Sequence, residues 1–155
     1  LSVNREGLLR SWFSIDGTFN NSRTVLSTVP VPKNKWVHVA NTFDGRYVRL
    51  FIDGVQVAEK RIAGRPAQLG YQNIAIGGNN CCRGYYEVLN GLIDEIRVSS
   101  VARYRESFDV PRIEFTPDAN TLLLMHFSDG GENIGIIGGG VELTELDRIT
   151  ACGEG

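Results

Sequence analysis

Between Trp36 and Lys60 the chain alternates short apolar runs with two Asp-Gly pairs, Asp44-Gly45 and Asp53-Gly54, and this spacing leaves little choice of fold. Asp-Gly tolerates the positive φ angles that tight hairpins demand. Trp36–Phe43, Tyr47–Ile52 and Val55–Lys60 are therefore predicted as three successive antiparallel strands, a β-meander. In the first, Trp36, His38 and Ala40 share one face and Val37 and Val39 the other. Apolar character on both faces suits an interior strand of a sandwich, and Trp36 is assigned to its core.

Period-2 runs continue on either side. Leu9–Ile15 reads as a strand closed by Asp16-Gly17, and Thr24–Thr28 as one ended by Pro30-Val31-Pro32, where proline removes ladder donors. Asn73–Ile76, Leu92–Val98 and Thr121–Phe127 read as further strands, with a Gly/Asn/Cys loop at 77–84. Ala102–Phe108 is expected to form a helical turn stopped by Pro111. No longer segment has convincing helical periodicity. A chain of 155 residues with 18 scattered glycines can bury a two-layer core, whereas a single sheet cannot cover its own apolar face. The expected fold is all-β, an antiparallel β-sandwich.

Charge narrows the partners. Sixteen basic and 18 acidic residues give a net charge of −2, with no sustained run of either sign. Nucleic acids and polybasic membrane contacts need a concentrated positive patch, so neither is expected. No apolar stretch approaches the roughly 20 residues of a membrane span. The chain opens at Leu1 without a signal peptide, which reads as a processed product or, preferably, a fragment of something longer. Cys81 and Cys82 are adjacent and disfavoured as a mutual pair. Cys152 bonded to one of them, or three free thiols, are the open alternatives, and no zinc-type cysteine spacing occurs.

Two blocks carry a resemblance. The first is Trp36-Val37-His38-Val39-Ala40, Phe43-Asp44-Gly45, Val48 to Gly54 and Val57-Ala58. The second is Asn90-Gly91-Leu92-Ile93-Asp94-Glu95-Ile96-Arg97-Val98 with Val101-Ala102-Arg103, and Ile74 to Gly78 lies between them. In this order the chain resembles the laminin-G-like/concanavalin A-like lectin-glucanase superfamily. That implies a jelly-roll sandwich, here truncated or rearranged at its N-terminus, because relatives usually carry more strands before the region of Leu9. Residues 1–117 are expected to form the sandwich. Residues 118–155, a strand and a Gly-rich tail, either complete it or begin a next repeat. Open sheet edges would otherwise invite homodimerisation.

The resemblance also implies an extracellular or cell-surface binding or adhesion module for carbohydrate or a surface protein, assisted by Ca2+. Asp94 matches the inherited metal position, with Asp16, Asp44 or the Asp129/Glu132/Asn133 loop as helpers. The alternative is that Asp94 caps backbone amides or pairs with an arginine, while Asp44 and Asp53 simply serve turns. Catalysis is disfavoured: Asp94 and Glu95 point to opposite faces of one strand, so they cannot flank a glycosidic bond, and no nucleophile elbow occurs. A glycoside hydrolase-like domain is the residual reading, behind a structural or assembly domain without its own ligand. Ligand recognition needs exposed aromatics; Tyr85, Tyr86, Tyr71 and an open-faced Trp12 are the candidates, against burial of Trp12 and simple packing of the tyrosines. Asn20-Asn21-Ser22 is a formal glycosylation sequon.

Overall fold

The meander forms where the Asp-Gly pairs place it. In the computed structural model, which describes residues 1–15, 23–64, 76–78 and 89–127, Asp53 and Gly54 both have positive φ, 48° and 77°. These are the angles of a tight hairpin turn. The described strands are β1 (Ser2–Val3), β2 (Leu8–Trp12), β3 (Thr24–Pro30), β4 (Val39–Phe43), β5 (Tyr47–Ile52), β6 (Val55–Arg61), β7 (Ile96–Ser99) and β8 (Thr121–Met125). They pair antiparallel in the orders β1-β2-β3, β4-β5-β6 and β7-β8, and no α-helix occurs among the described residues. Among the described residues no helix is long and apolar enough to cross a membrane.

The chain divides into two compact units, Leu1–Val88 with Val101–Arg112, and Leu89–Ser100 with Ile113–Gly155. In the first, β1-β2-β3 faces β4-β5-β6 as an antiparallel sandwich. Leu9 and Val25 from one sheet meet Val48, Leu50, Ile52 and Val57 from the other, joined by Ile62. Side-chain bonds tie the layers: Thr28 Oγ1 donates to the Val57 carbonyl at 3.0 Å and Lys60 Nζ to that of Thr24 at 3.1 Å. The β2-β3 register slips between Leu8 and Arg10. There the Leu9 N–H donates instead to Ser27 Oγ at 2.9 Å, so the bulge leaves no buried donor unpaired.

β5 is buried on both faces. Val48, Leu50 and Ile52 enter the core, while Arg49 and Phe51 point to the opposite side. Arg49, only 8% exposed, donates to Asp44 Oδ2 at 2.6 Å and to Glu59 Oε2 at 2.7 Å. This pairing satisfies a charge that would otherwise be costly to bury. It also holds the Asp44 carboxyl well below the usual carboxylate range, helped by the backbone N–H groups of Tyr47 and Arg46.

Several expectations need correction. β4 starts at Val39, not at Trp36, and β2 ends at Trp12 instead of Ile15. Residues 102–108 are not helical; they run as a strap over the outer side of β5. The predicted strand Leu92–Val98 shrinks to Ile96–Ser99, because Glu95 adopts a φ of 53° that breaks the alternation. Leu92 is consequently 81% exposed, and Asp94 is exposed as well. Thr121–Phe127 ends at Met125, since Phe127 also has a positive φ, 55°.

Candidate functional site

The register of the meander determines what Trp36 can do. Val39 pairs with Ile52, so His38 meets the turn residue Asp53 and Trp36 overruns the end of its partner strand. The His38–Asp53 junction is reciprocal. Asp53 N–H donates to the His38 carbonyl at 2.8 Å, and His38 N–H donates to Asp53 Oδ1 at 3.0 Å. Beyond this clamp no described strand lies beside Trp36, which is 64% exposed. Its assignment to the core is thus overturned by the hairpin simply being too short to cover it.

The strap supplies the other wall. Tyr104 and Phe108 stack at 3.5 Å and meet Phe51 edge-on, with His38 also against Phe108 at 5.6 Å. Phe108 N–H donates to the Gly54 carbonyl at 2.9 Å, and Gln56 N–H to Ser107 Oγ at 3.0 Å. A Cβ on Gly54 would fall 2.0 Å from the Phe108 carbonyl oxygen, so this glycine serves both the turn and the docking of the strap. Trp36, Asp53, Phe108, Asp109, Val110 and Arg112 together line an open recess of about 740 Å³. Asp53 is committed to the His38 N–H and to Lys35 Nζ at 3.5 Å, so around this shallow hollow the Trp36 indole offers a stacking face, Asp109 an acceptor and Arg112 donors.

The second unit carries a different cluster. Glu95 Oε1 lies 2.5 Å from His126 Nδ1, and Glu95 Oε2 accepts the Phe115 N–H at 3.0 Å. Glu114 brings a second carboxylate, with ligand atoms of all three side chains within 4.8 Å of one another. The hydrogen bond and charge of Glu95 raise the His126 pKa, with Glu114 and Asp94 adding in the same sense. β7-β8 pairing explains the meeting: Ile96 opposes Met125, so the next step of the register sets Glu95 against His126.

A family model described as the concanavalin A-like lectin/glucanases superfamily, of laminin-G type, matches residues 1–107. The chain belongs to this superfamily. No curated protein and no solved structure matches it. A laminin-G-type membership suggests a carbohydrate- or protein-binding module. Such domains are commonly extracellular and typically non-catalytic, although the wider superfamily includes glycosidases.

Within this laminin-G-type chain the sequence-predicted residues are scattered. Trp12 is 46% exposed on the outer face of β2, and the Arg10 guanidinium lies over its ring at 4.0 Å, so the indole is not buried but one of its faces is covered. The Asp94 carboxylate accepts the N–H of its neighbour Glu95 at 3.0 Å. Tyr71, Tyr85, Tyr86, Asp16, Asn20, Asp129, Glu132, Asn133, Cys81, Cys82 and Cys152 lie outside the described residues. Sequence reasoning missed Trp36 as a surface residue, Asp109 and Arg112 as its neighbours, and the Glu95–His126 pair. For Trp36 a signal existed: counting back from the Asp53-Gly54 turn places it past the hairpin's end.

Proposed function

We propose that the chain is a non-catalytic extracellular module that binds carbohydrate through the Trp36 recess. The observation carrying this reading is the exposure of Trp36 beside Asp53, Asp109 and Arg112. An indole face stacks on the apolar C–H face of a sugar ring, and carboxylate and guanidinium groups bond its hydroxyls. Membership of a carbohydrate- or protein-binding family supports the same conclusion. Calcium binding at Asp94 and Asp16, and ligand contacts by Tyr71, Tyr85, Tyr86 or Trp12, are separate proposals on which the Trp36 recess does not depend. A glycan array run with and without Ca2+ tests it. Binding is expected for the wild type and is reduced at least about tenfold in Trp36→Ala, as for a central aromatic anchor. An empty array, or signal unchanged by the substitution, would sink it.

A glycosidase reading is weaker on a specific observation. Retaining hydrolysis needs two carboxyl groups about 5 Å apart with one free to attack. Glu95 and Glu114 come close enough, but both oxygens of Glu95 are already engaged by His126 and the Phe115 amide. The protein is expected to leave a panel of polysaccharides uncleaved, and reducing sugar released by the wild type but not by Glu114→Gln would reverse that conclusion.

A further inference from the structure

Glu95, Glu114 and His126 reach the same point from three separate stretches of chain: the approach to β7, the segment before Phe115, and the exit of β8. We propose that these three side chains form a binding site for a zinc-class divalent cation. The donor set decides the class. Calcium and magnesium take oxygen ligands, whereas one imidazole nitrogen with two carboxylate oxygens suits zinc and its transition-metal neighbours.

The geometry is close to what such an ion needs. Zinc holds nitrogen and oxygen ligands at about 2.0–2.2 Å, which sets ligand atoms about 3.3 Å apart in a tetrahedron. The three donors already lie within 4.8 Å of one another, with Glu95 and His126 closer than that spacing at 2.5 Å. The Phe115 N–H fixes Glu95 by holding Oε2 at 3.0 Å, and Oε1 bonds His126 Nδ1 at 2.5 Å, so an ion would take the place of the proton between those two atoms. A backbone donor on the outer oxygen of a ligating carboxylate is a typical outer support of a metal site. Two carboxylates also balance a dication in a half-exposed setting. Three protein ligands leave one position for water, so the ion would fasten the three segments together while keeping an open coordination place.

The site is separate from the calcium position implied for Asp94, whose carboxylate is not among the three. The left-handed backbone at Glu95 and at Phe127, beside His126, is consistent with side chains re-aimed for a purpose.

Titration calorimetry of the chelator-stripped full chain with ZnCl2 and, separately, CaCl2 tests the assignment, using wild type and Glu114→Gln. Glu114 is exposed, so the variant is expected to keep the wild-type circular dichroism spectrum. Wild type is expected to bind one zinc with the His126 imidazole resonances shifted, calcium to give no heat, and Glu114→Gln to bind zinc at least about tenfold more weakly. No zinc binding up to ~1 mM would overturn the proposal. Equal affinity in the variant, or unshifted His126 resonances, would place the ion elsewhere, for instance on the cysteine thiols, and overturn it equally. Preference for calcium would refute the zinc-class assignment.

Discussion

Two clusters of charge in this chain use similar residues to opposite ends. Asp44, Arg49 and Glu59 lie on the β4-β5-β6 sheet with the guanidinium almost wholly enclosed, and its two acidic partners satisfy it at 2.6 and 2.7 Å. Glu95, Glu114 and His126 sit at the end of the β7-β8 ladder, partly open to solvent, with anionic groups in excess. The first is a closed set in which every charge has a fixed partner, which makes it structural. In the second the exposed Glu114 carboxylate stands beside the bonded Glu95–His126 pair, the arrangement proposed to take an ion. Burial together with saturation, more than residue type, separates the two.

The largest expected effect breaks the closed cluster. Arg49→Ala leaves Asp44 enclosed without its cation and is expected to cost about 3 kcal/mol in urea unfolding. Arg49→Lys keeps the charge but loses the two-pronged geometry, and about 1 kcal/mol is expected. A loss for Arg49→Ala below about 0.5 kcal/mol would show that the cluster is an ordinary surface network.

The pH dependence of stability should then split the clusters by sign. Asp44 is held below its ordinary carboxylate value, so its contribution is fully present above about pH 4 and disappears as pH falls through the folded value. His126 is raised by the Glu95 hydrogen bond. Its contribution, measured with chelator present, is fully present below about pH 6.5 and is lost as pH rises through the folded value. Thermal unfolding scans of wild type and His126→Gln across the neutral range check the second arm. Identical pH slopes in the two proteins would contradict it.

How much of this was legible beforehand follows the same division. The Asp-Gly pairs forecast the β4-β5-β6 meander because turn chemistry and alternation are local. The Tyr47–Ile52 strand has the predicted bounds, and its neighbours drift by only a few residues. Leu92–Val98 misled because alternation assumes an unbroken strand, whereas Glu95 turns left-handed to meet His126 and the Phe115 amide, partners far along the chain. Trp36 misled for a geometrical reason: its face was read correctly as apolar, but the partner hairpin ends before reaching it. The strap over Phe51 was invisible as such, since Tyr104 and Phe108 look alike as a helical turn or as an aromatic cover.

Smaller effects sharpen the contrast. Glu114→Gln, in an open cluster, is expected to change metal-free stability by no more than about 0.5 kcal/mol. Trp36→Ala should be similarly mild, in contrast to the about 2–5 kcal/mol expected for emptying the core at Leu50→Ala. A cost above about 2 kcal/mol for Trp36→Ala would return that indole to a packing role.

The most direct test of the central claim is a two-dimensional NMR titration with the strongest glycan found on the array, following the two tryptophan indole signals. The Trp36 recess as binding site predicts that the Trp36 indole shifts together with the backbone amides of Asp109 and Arg112, while the Trp12 indole stays in place. Shifts confined to Trp12 or to residues 71–86, with Trp36 unmoved, would contradict it.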